Sequence, residues 1–323
     1  MRLTKLIWAL ILLVGAASFA TAAVDPAAAG HEAVAAHAAA AAGEAAHEGG
    51  HGHGLPPAAS PIFNIGPLVV TNSMLVVWIV AIALVIFAQA ATRNMKEVPE
   101  GLQNFWEWLV ESLYDFLGGV LGPDLVKRSF WFFGTLFILI LTTNWMGLIP
   151  GVGTLYYKGQ PLLRGGNADL NMTAAMSLLF FFFWIIWSVQ ALGVVGIIKH
   201  IFGGQSGGGL MGVFISLIFI VVGLIEVVSI LFRPVSLSFR LYGNVFAGEN
   251  ILEAMMGIVP WLAPVIPIPF YFLELLVGLV QALVFTLLTA VFTALMCAHH
   301  DDHGHGADKA HAAGPDGHAG HAH

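Results

Sequence analysis

The last third of the chain puts ionisable side chains into an apolar background. Leu210–Val259 is interrupted by Glu226, Arg233, Arg240, Glu249 and Glu253, and the stretch after it, Pro264–Ala298, carries Glu274 and Gln281. On one continuous helix Glu226, Arg233 and Arg240 are spaced seven and seven. Each step then drifts only ~20° around the axis, so the three share a polar stripe. Asn244 follows Arg240 by four residues and Glu249 follows it by nine. Asn244 therefore stays near the arginine, while Glu249 lies roughly 180° around and ~13 Å along, with Glu253 one turn further. Glu274 and Gln281 are again seven apart, on one face of a second helix.

A charge at the centre of a bilayer costs about 2.5–3.5 kcal/mol on insertion scales. Four acids and two arginines in one apolar hairpin must therefore face water-filled cavities or a polar partner. Carboxylates exchange protons, and burial brings that exchange towards neutral pH. A guanidinium keeps its proton at every accessible pH. The combination suits proton passage, with carboxylates relaying and a permanent cation blocking direct flow. Internal salt bridging without transport is the competing reading, and for Gln281 it is a packing hydrogen bond.

The elements that must position these groups follow from composition. Of 323 residues, 58% are hydrophobic and only 10% charged, with a mean hydropathy of +0.84. A soluble domain carries ~25% charged residues, so one polytopic membrane domain with tails is expected. A single cysteine, Cys297, excludes an internal disulfide. Twelve Lys+Arg against 19 Asp+Glu argue against a nucleic-acid partner. No phosphate-cradling G-x-x-x-x-G-K-[ST] loop is present, so nucleotide chemistry is not expected in this chain, and neither a catalytic role nor a cofactor is implied.

Residues 1–23 read as a secretory signal: Arg2 and Lys5, then an apolar stretch Leu6–Ala17, then Ala20-Thr21-Ala22 as a cleavage pattern. An uncleaved anchor is the other reading. Residues 24–65 form an Ala/Gly/His-rich tail expected outside the cytoplasm, and 299–323 a His-rich tail inside. Thirteen of the 14 histidines lie in these tails. Imidazole clusters bind zinc or nickel, but no fixed scaffold holds a geometry, so no firm metal site is assigned.

Between them, 66–298 is the membrane domain. Leu75–Ala91, Ser129–Tyr157 and Leu170–Ile198 are uncharged and long enough to span. Val98–Gly122 mixes Phe105, Trp106, Trp108 and Phe116 with Glu107, Glu111 and Asp115. That pattern suits a helix lying in the interface; a short soluble helix is the alternative. Arg93, Lys96, Lys127, Arg128 and Lys199 fall in connections placed inside, against Lys158 and Arg164 outside. This puts the N-terminus outside. The final 210–298 is expected either as a long tilted or bent hairpin, giving about five membrane-embedded helices, or as two ordinary spans on its first half, with a turn at Arg233-Pro234.

These residues carry a resemblance. Arg233-Pro234-Val235-Ser236-Leu237-Ser238-Phe239-Arg240-Leu241-Tyr242-Gly243-Asn244-Val245-Phe246-Ala247-Gly248-Glu249 closely resembles the signature of subunit a of bacterial F-type ATP synthases. Asn144-Trp145-Met146-Gly147-Leu148-Ile149-Pro150-Gly151, Ala168-Asp169-Leu170-Asn171-Met172-Thr173 and Thr71-Asn72-Ser73-Met74 resemble further family segments in order, over about residues 60–298. The resemblance implies an all-α membrane protein whose last two helices form a tilted hairpin. It also implies a proton-translocating stator in the cell inner membrane, beside a ring of c subunits and the peripheral-stalk b subunits.

Arg240 matches the family's essential arginine. Asn244, Glu249, Gln281 and, on the cytoplasmic side, Glu226 match its half-channel surroundings within 210–298, and Glu274 stands where some members have histidine; Glu253 is expected to line the outer half-channel with Glu249 and Glu274. A stand-alone ion or metal transporter, with the His-rich tails as metal-loading arms, is the rival class.

Overall fold

The computed structural model describes residues 59–65, 68–149, 152, 156–157, 160–202, 210–258, 265 and 267–298. The signal segment 1–23, most of the first tail and the tail 299–323 lie outside the described residues.

The chain enters through a short antiparallel hairpin, β1 (Pro61–Ile65) and β2 (Leu68–Thr71). Residues 59–65, at the end of the segment expected as a tail, are thus partly strand. Asn72 ties this hairpin down. Its Oδ1 accepts the N–H of Ser60 at 3.2 Å and its Nδ2 donates to the carbonyl of Pro161 at 3.0 Å. Helix α1 (Asn72–Thr92) follows at once and contains the expected span Leu75–Ala91.

Helix α2 (Leu102–Leu121) fills the expected interfacial segment. Leu113, Leu117 and Leu121 face inward, spaced by about one turn, while Phe105, Trp108 and Phe116 are exposed. Gly122, with a positive φ, then turns the chain into α3 (Pro123–Gly147). This corrects the expected span Ser129–Tyr157, which starts and ends too late. Proline fits the first helical position, where its missing N–H has no partner to lose, and Asp124 complements the positive helix start. The charged first turn is therefore helical despite its polarity. At the other end the residue before a proline avoids helical geometry, and the helix stops ahead of Pro150. Tyr156–Tyr157, placed at the end of that span, instead forms β3, paired with β4 (Gln160–Pro161).

Helix α4 (Leu170–Phe202) is longer than the expected Leu170–Ile198 and is interrupted at Gly193, whose φ of 70° lies outside helical geometry. Helix α5 (Leu210–Ile258) runs 49 residues without interruption, with Pro234 inside it, and α6 (Ile268–Ala298) returns beside it. The turn reading at Arg233-Pro234 is thereby excluded. At 1.5 Å per residue α5 is ~74 Å long. Five helices among the described residues (α1, α3, α4, α5 and α6) are long and apolar enough to cross a membrane, and α2 is not among them. The chain is an all-α, multi-pass membrane protein.

The core lies where α1, α3, α4 and α6 meet, around Val80, Phe133, Leu136, Ile140, Phe180 and Phe285. A seam of rings joins α3 to α4. Trp131 and Phe183 meet edge to face at 5.4 Å, Phe132 and Phe183 at 5.0 Å, and Phe133 and Trp187 at 5.6 Å. Aromatic pairs favour such tilted contacts over flat sandwiches. Most of α5, in contrast, is uncovered by the rest of the chain; Leu224, Ile225, Leu231 and Phe232 are all exposed.

Candidate functional site

Arg240 sits on that uncovered surface of α5. Its side chain is exposed, and among the described residues it has neither a hydrogen bond nor an ion pair. Arg233, two turns earlier, behaves differently. Its guanidinium carbon lies 4.4 Å from the ring centre of Phe292 on α6 and 5.9 Å from that of Trp184 on α4. A cation held over aromatic faces is stabilised by the ring quadrupole. The shared seven-residue spacing thus yields one arginine fixed inside the chain and one presented outward.

One turn beyond Arg240, Asn244 donates from Nδ2 to Oε1 of Gln281 at 2.7 Å. Gln281 is only 4% exposed, and its Nε2 has no hydrogen-bond partner among the described residues. This bond joins the two helices of the hairpin, so Gln281 faces the first helix near Arg240.

Further along α5 the acids gather. The carboxyl of Glu274, on α6, lies in the space that a side chain at Gly248 would occupy. The carboxyl of Glu249 lies in the equivalent space at Gly165 and accepts the Gly165 N–H, while its buried Oε2 has no hydrogen-bond partner among the described residues. Two missing side chains therefore make room for two carboxyls. Glu253 and Glu274 both act electrostatically on Glu249, so the three acids form one group. Glu226 is not brought to them. It lies half-buried on α5, about 35 Å from Glu249 along the axis. The hairpin thus carries a trio of acids towards one end, a single acid towards the other, and Arg240 between.

The floor beneath the trio comes from a loop whose part was not legible in the sequence. Residues 161–169 fold inward between α1 and α3, and a side chain at Gly166 would come within 2.6 Å of Thr143. Asn167 Nδ2 donates to Asn144 Oδ1 at 2.7 Å, and Asn144 Nδ2 donates to the carbonyl of Gly278 on α6 at 3.0 Å. Asp169 is 4% exposed and accepts the Ser73 hydroxyl at 2.5 Å and the Asn171 N–H at 3.0 Å. Arg164, which sequence alone suggests only as a loop charge, is 2% exposed, and its Nη2 donates to the carbonyl of Ala168 at 3.0 Å. The signals for Ser73, Asn144 and Asp169 were present, since all three fall in the recognised segments. For Arg164 and Asn167 there was no pattern to find.

Among the described residues no group of three or more metal-ligating side chains has the geometry to hold an ion. The His-rich tails lie outside the described residues.

Comparisons with known proteins agree with the motifs. Residues 74–294 match the family model described as ATP synthase A chain. A protein of Gloeobacter violaceus named ATP synthase subunit a is 31% identical over 242 residues, covering 75% of this chain and 90% of the relative. The ATP synthase subunit a of Moorella thermoacetica is 31% identical over 72% of this chain and 94% of its own length, and that of Solidesulfovibrio magneticus 33% over 69% and 83%. With a match that extends over residues 74–294, from α1 into α6, the chain belongs to the ATP synthase A chain family.

Proposed function

We propose that this chain is the proton-conducting stator of an ATP synthase membrane sector, working through two offset half-channels against a ring of c subunits. Protons enter from the outer side past Glu249, Glu253 and Glu274, with Asn244 and Gln281 lining the path. Each proton binds a carboxylate on a c subunit and leaves it neutral. A neutral side chain enters lipid at far lower cost than a charged one. After nearly a full turn of the ring that site meets the inner half-channel near Glu226 and releases its proton. Arg240 pairs with the ionised carboxylate between the two paths and, having no proton to give, blocks a direct wire. One charge crossing about 100 mV yields ~2.3 kcal/mol, so several protons serve each ATP made. The chain does no nucleotide chemistry; that belongs to other subunits. It sits in the cell inner membrane, N-terminus outside and C-terminus cytoplasmic, braced by the peripheral-stalk b subunits.

The observation that supports this reading is the bare guanidinium of Arg240 on the uncovered face of α5. Facing lipid it would cost about 2.5–3.5 kcal/mol, with no ion-pair partner among the described residues to offset it. A moving row of carboxylates on a neighbouring subunit supplies that counter-charge. The test is Arg240→Ala and Arg240→Lys in a reconstituted complex. Both variants lose coupled ATP synthesis, because lysine keeps the charge but not the planar fork. Wild-type coupling in Arg240→Ala would refute the assignment.

A further inference from the structure

Arg233 stands where α5 is weakest. Pro234, next to it, has no N–H to donate to the carbonyl of Ile230, so the helix lacks one internal bond at that level. The face that α5 buries there is made by Ile230, Pro234, Leu237 and Leu241, all apolar, with the Ser238 hydroxyl turned back to the carbonyl of Val235 on α5 itself. Apolar contact is non-directional. It holds the helix down without fixing how far it is turned about its own axis. We propose that Arg233 is a positioning residue: held against the rings of Phe292 and Trp184, it sets the rotation of α5 and so the outward aim of Arg240. This deepens the proposed half-channel reading and rests on it.

The seat for Arg233 comes from two other helices. Its guanidinium carbon lies 4.4 Å from the ring centre of Phe292 on α6 and 5.9 Å from that of Trp184 on α4. The two ring residues are themselves tied, because Nε1 of Trp184 donates to the backbone carbonyl of Phe292 at 3.2 Å. Trp184 is only 5% exposed and stacks on Phe181 with ring planes 13° apart. The seat is therefore fixed before the cation reaches it. A cation is drawn to ring faces within about 6 Å of their centres, so this seat specifies where the head of Arg233 lies.

Arg240 follows seven residues later on the same continuous helix. It is ~10 Å further along the axis and turned by only ~20°. Any rotation of α5 at Arg233 is thus a rotation of Arg240 of the same size. Among the described residues Arg240 has no ion pair, so its direction is inherited from the helix. Turned away from the boundary between the two paths, Arg240 no longer separates them, and protons cross without driving the ring.

The test uses the assembled complex in vesicles under an imposed proton gradient. ATP synthesis is measured, and proton entry is followed with a pH-sensitive dye while ADP is withheld, which stalls a coupled complex. Arg233→Gln assembles in near wild-type amount, makes ATP about two- to thirtyfold more slowly, the range set by a cation held over ring faces, and admits protons without ADP. Arg233→Lys keeps the cation and restores most of the synthesis. Phe292→Leu, which removes the nearer ring face, reproduces the leak. Arg233→Gln with Phe292→Leu adds little to the worse single variant, since both remove one contact.

Wild-type synthesis without a leak in assembled Arg233→Gln overturns the proposal, as does an equal leak in Arg233→Lys or full additivity in the double variant. A merely structural residue would lower the amount assembled and leave the ATP made per proton unchanged, and that result overturns it too. If Arg233→Gln does not assemble, Phe292→Leu decides, because it alters only a half-buried ring and leaves the cation in place; a leak-free Phe292→Leu complex overturns the proposal. Arg240→Ala runs alongside. If it loses coupling while Arg233→Gln and Phe292→Leu behave as wild type, only the role of Arg233 falls. If Arg240→Ala stays coupled, the half-channel reading itself falls.

Discussion

Asn244 and Gln281 are joined by a 2.7 Å hydrogen bond that crosses the hairpin one turn from Arg240. It is the polar tie between α5 and α6 at the level of the exposed guanidinium. Its chemistry is asymmetric, because Asn244 is exposed and Gln281 is buried. Removing Asn244 strands the Gln281 carbonyl oxygen as well as its amide nitrogen.

Asn244→Leu is therefore expected to lower the thermal stability of the assembled complex by about 0.6–1.7 kcal/mol, the range for interhelical hydrogen bonds in membranes. Asn244→Leu with Gln281→Leu recovers much of that loss, since replacing both partners leaves nothing buried and unpaired. Thermal inactivation of the purified complex measures both. An equal or greater loss in the double variant would contradict the asymmetry. Coupled synthesis stays impaired in both variants, because the lining of the path has become apolar.

The space at Gly248 gives a second expectation. A methyl group there overlaps the Glu274 carboxyl, and the overlap is with a side-chain end that must swing away. Gly248→Ala reduces coupled synthesis at least tenfold, by about 1.4 kcal/mol or more in the limiting step, with little change in the amount of complex assembled. Glu274→Asp, shorter by one methylene, restores part of the rate in the Gly248→Ala background. A double variant no faster than Gly248→Ala alone would show that the overlap is not the cause.

Asp169 anchors the inward loop to α1. Its carboxylate accepts the Ser73 hydroxyl and the Asn171 N–H, and hydrogen bonds to a charged group contribute roughly 1.5–3 kcal/mol each. Asp169→Ala is expected to destabilise the complex by that order, while Asp169→Asn keeps one acceptor oxygen and loses less. Ser73→Ala has a smaller effect again, because Asn171 still engages the carboxylate. Thermal inactivation ranks the three, and a reversed order would remove Asp169 from this role.

The spans were legible because long uncharged runs can be little else at this hydropathy. Their ends were less so. The helix α3 begins at Pro123, and the charges at Asp124, Lys127 and Arg128 hide that start from any reading based on polarity. For α5 the pattern alone was undecided, since Arg-Pro fits a surface turn and a mid-helix position equally well. The family signature favoured continuity, and the helix is continuous.

The site divides in the same way. Helical spacing put Glu274 and Gln281 on one face of the second helix, because residues on one element obey one period. It could not separate Arg233 from Arg240, whose difference is made by Phe292 and Trp184 on other helices. Arg164 was beyond reach for the same reason: its neighbour Phe246 is brought to it only when the loop folds inward between α1 and α3.

The ring seam between α3 and α4 has a mechanical consequence. Interlocked planar side chains leave few voids, and close-packed interiors resist compression and transmit strain. Helix α4 packs against α5. A sideways push on the bare flank of α5 is thus handed through α4 to Trp131, Phe132 and Phe133, and the bundle answers the load as a single stiff body.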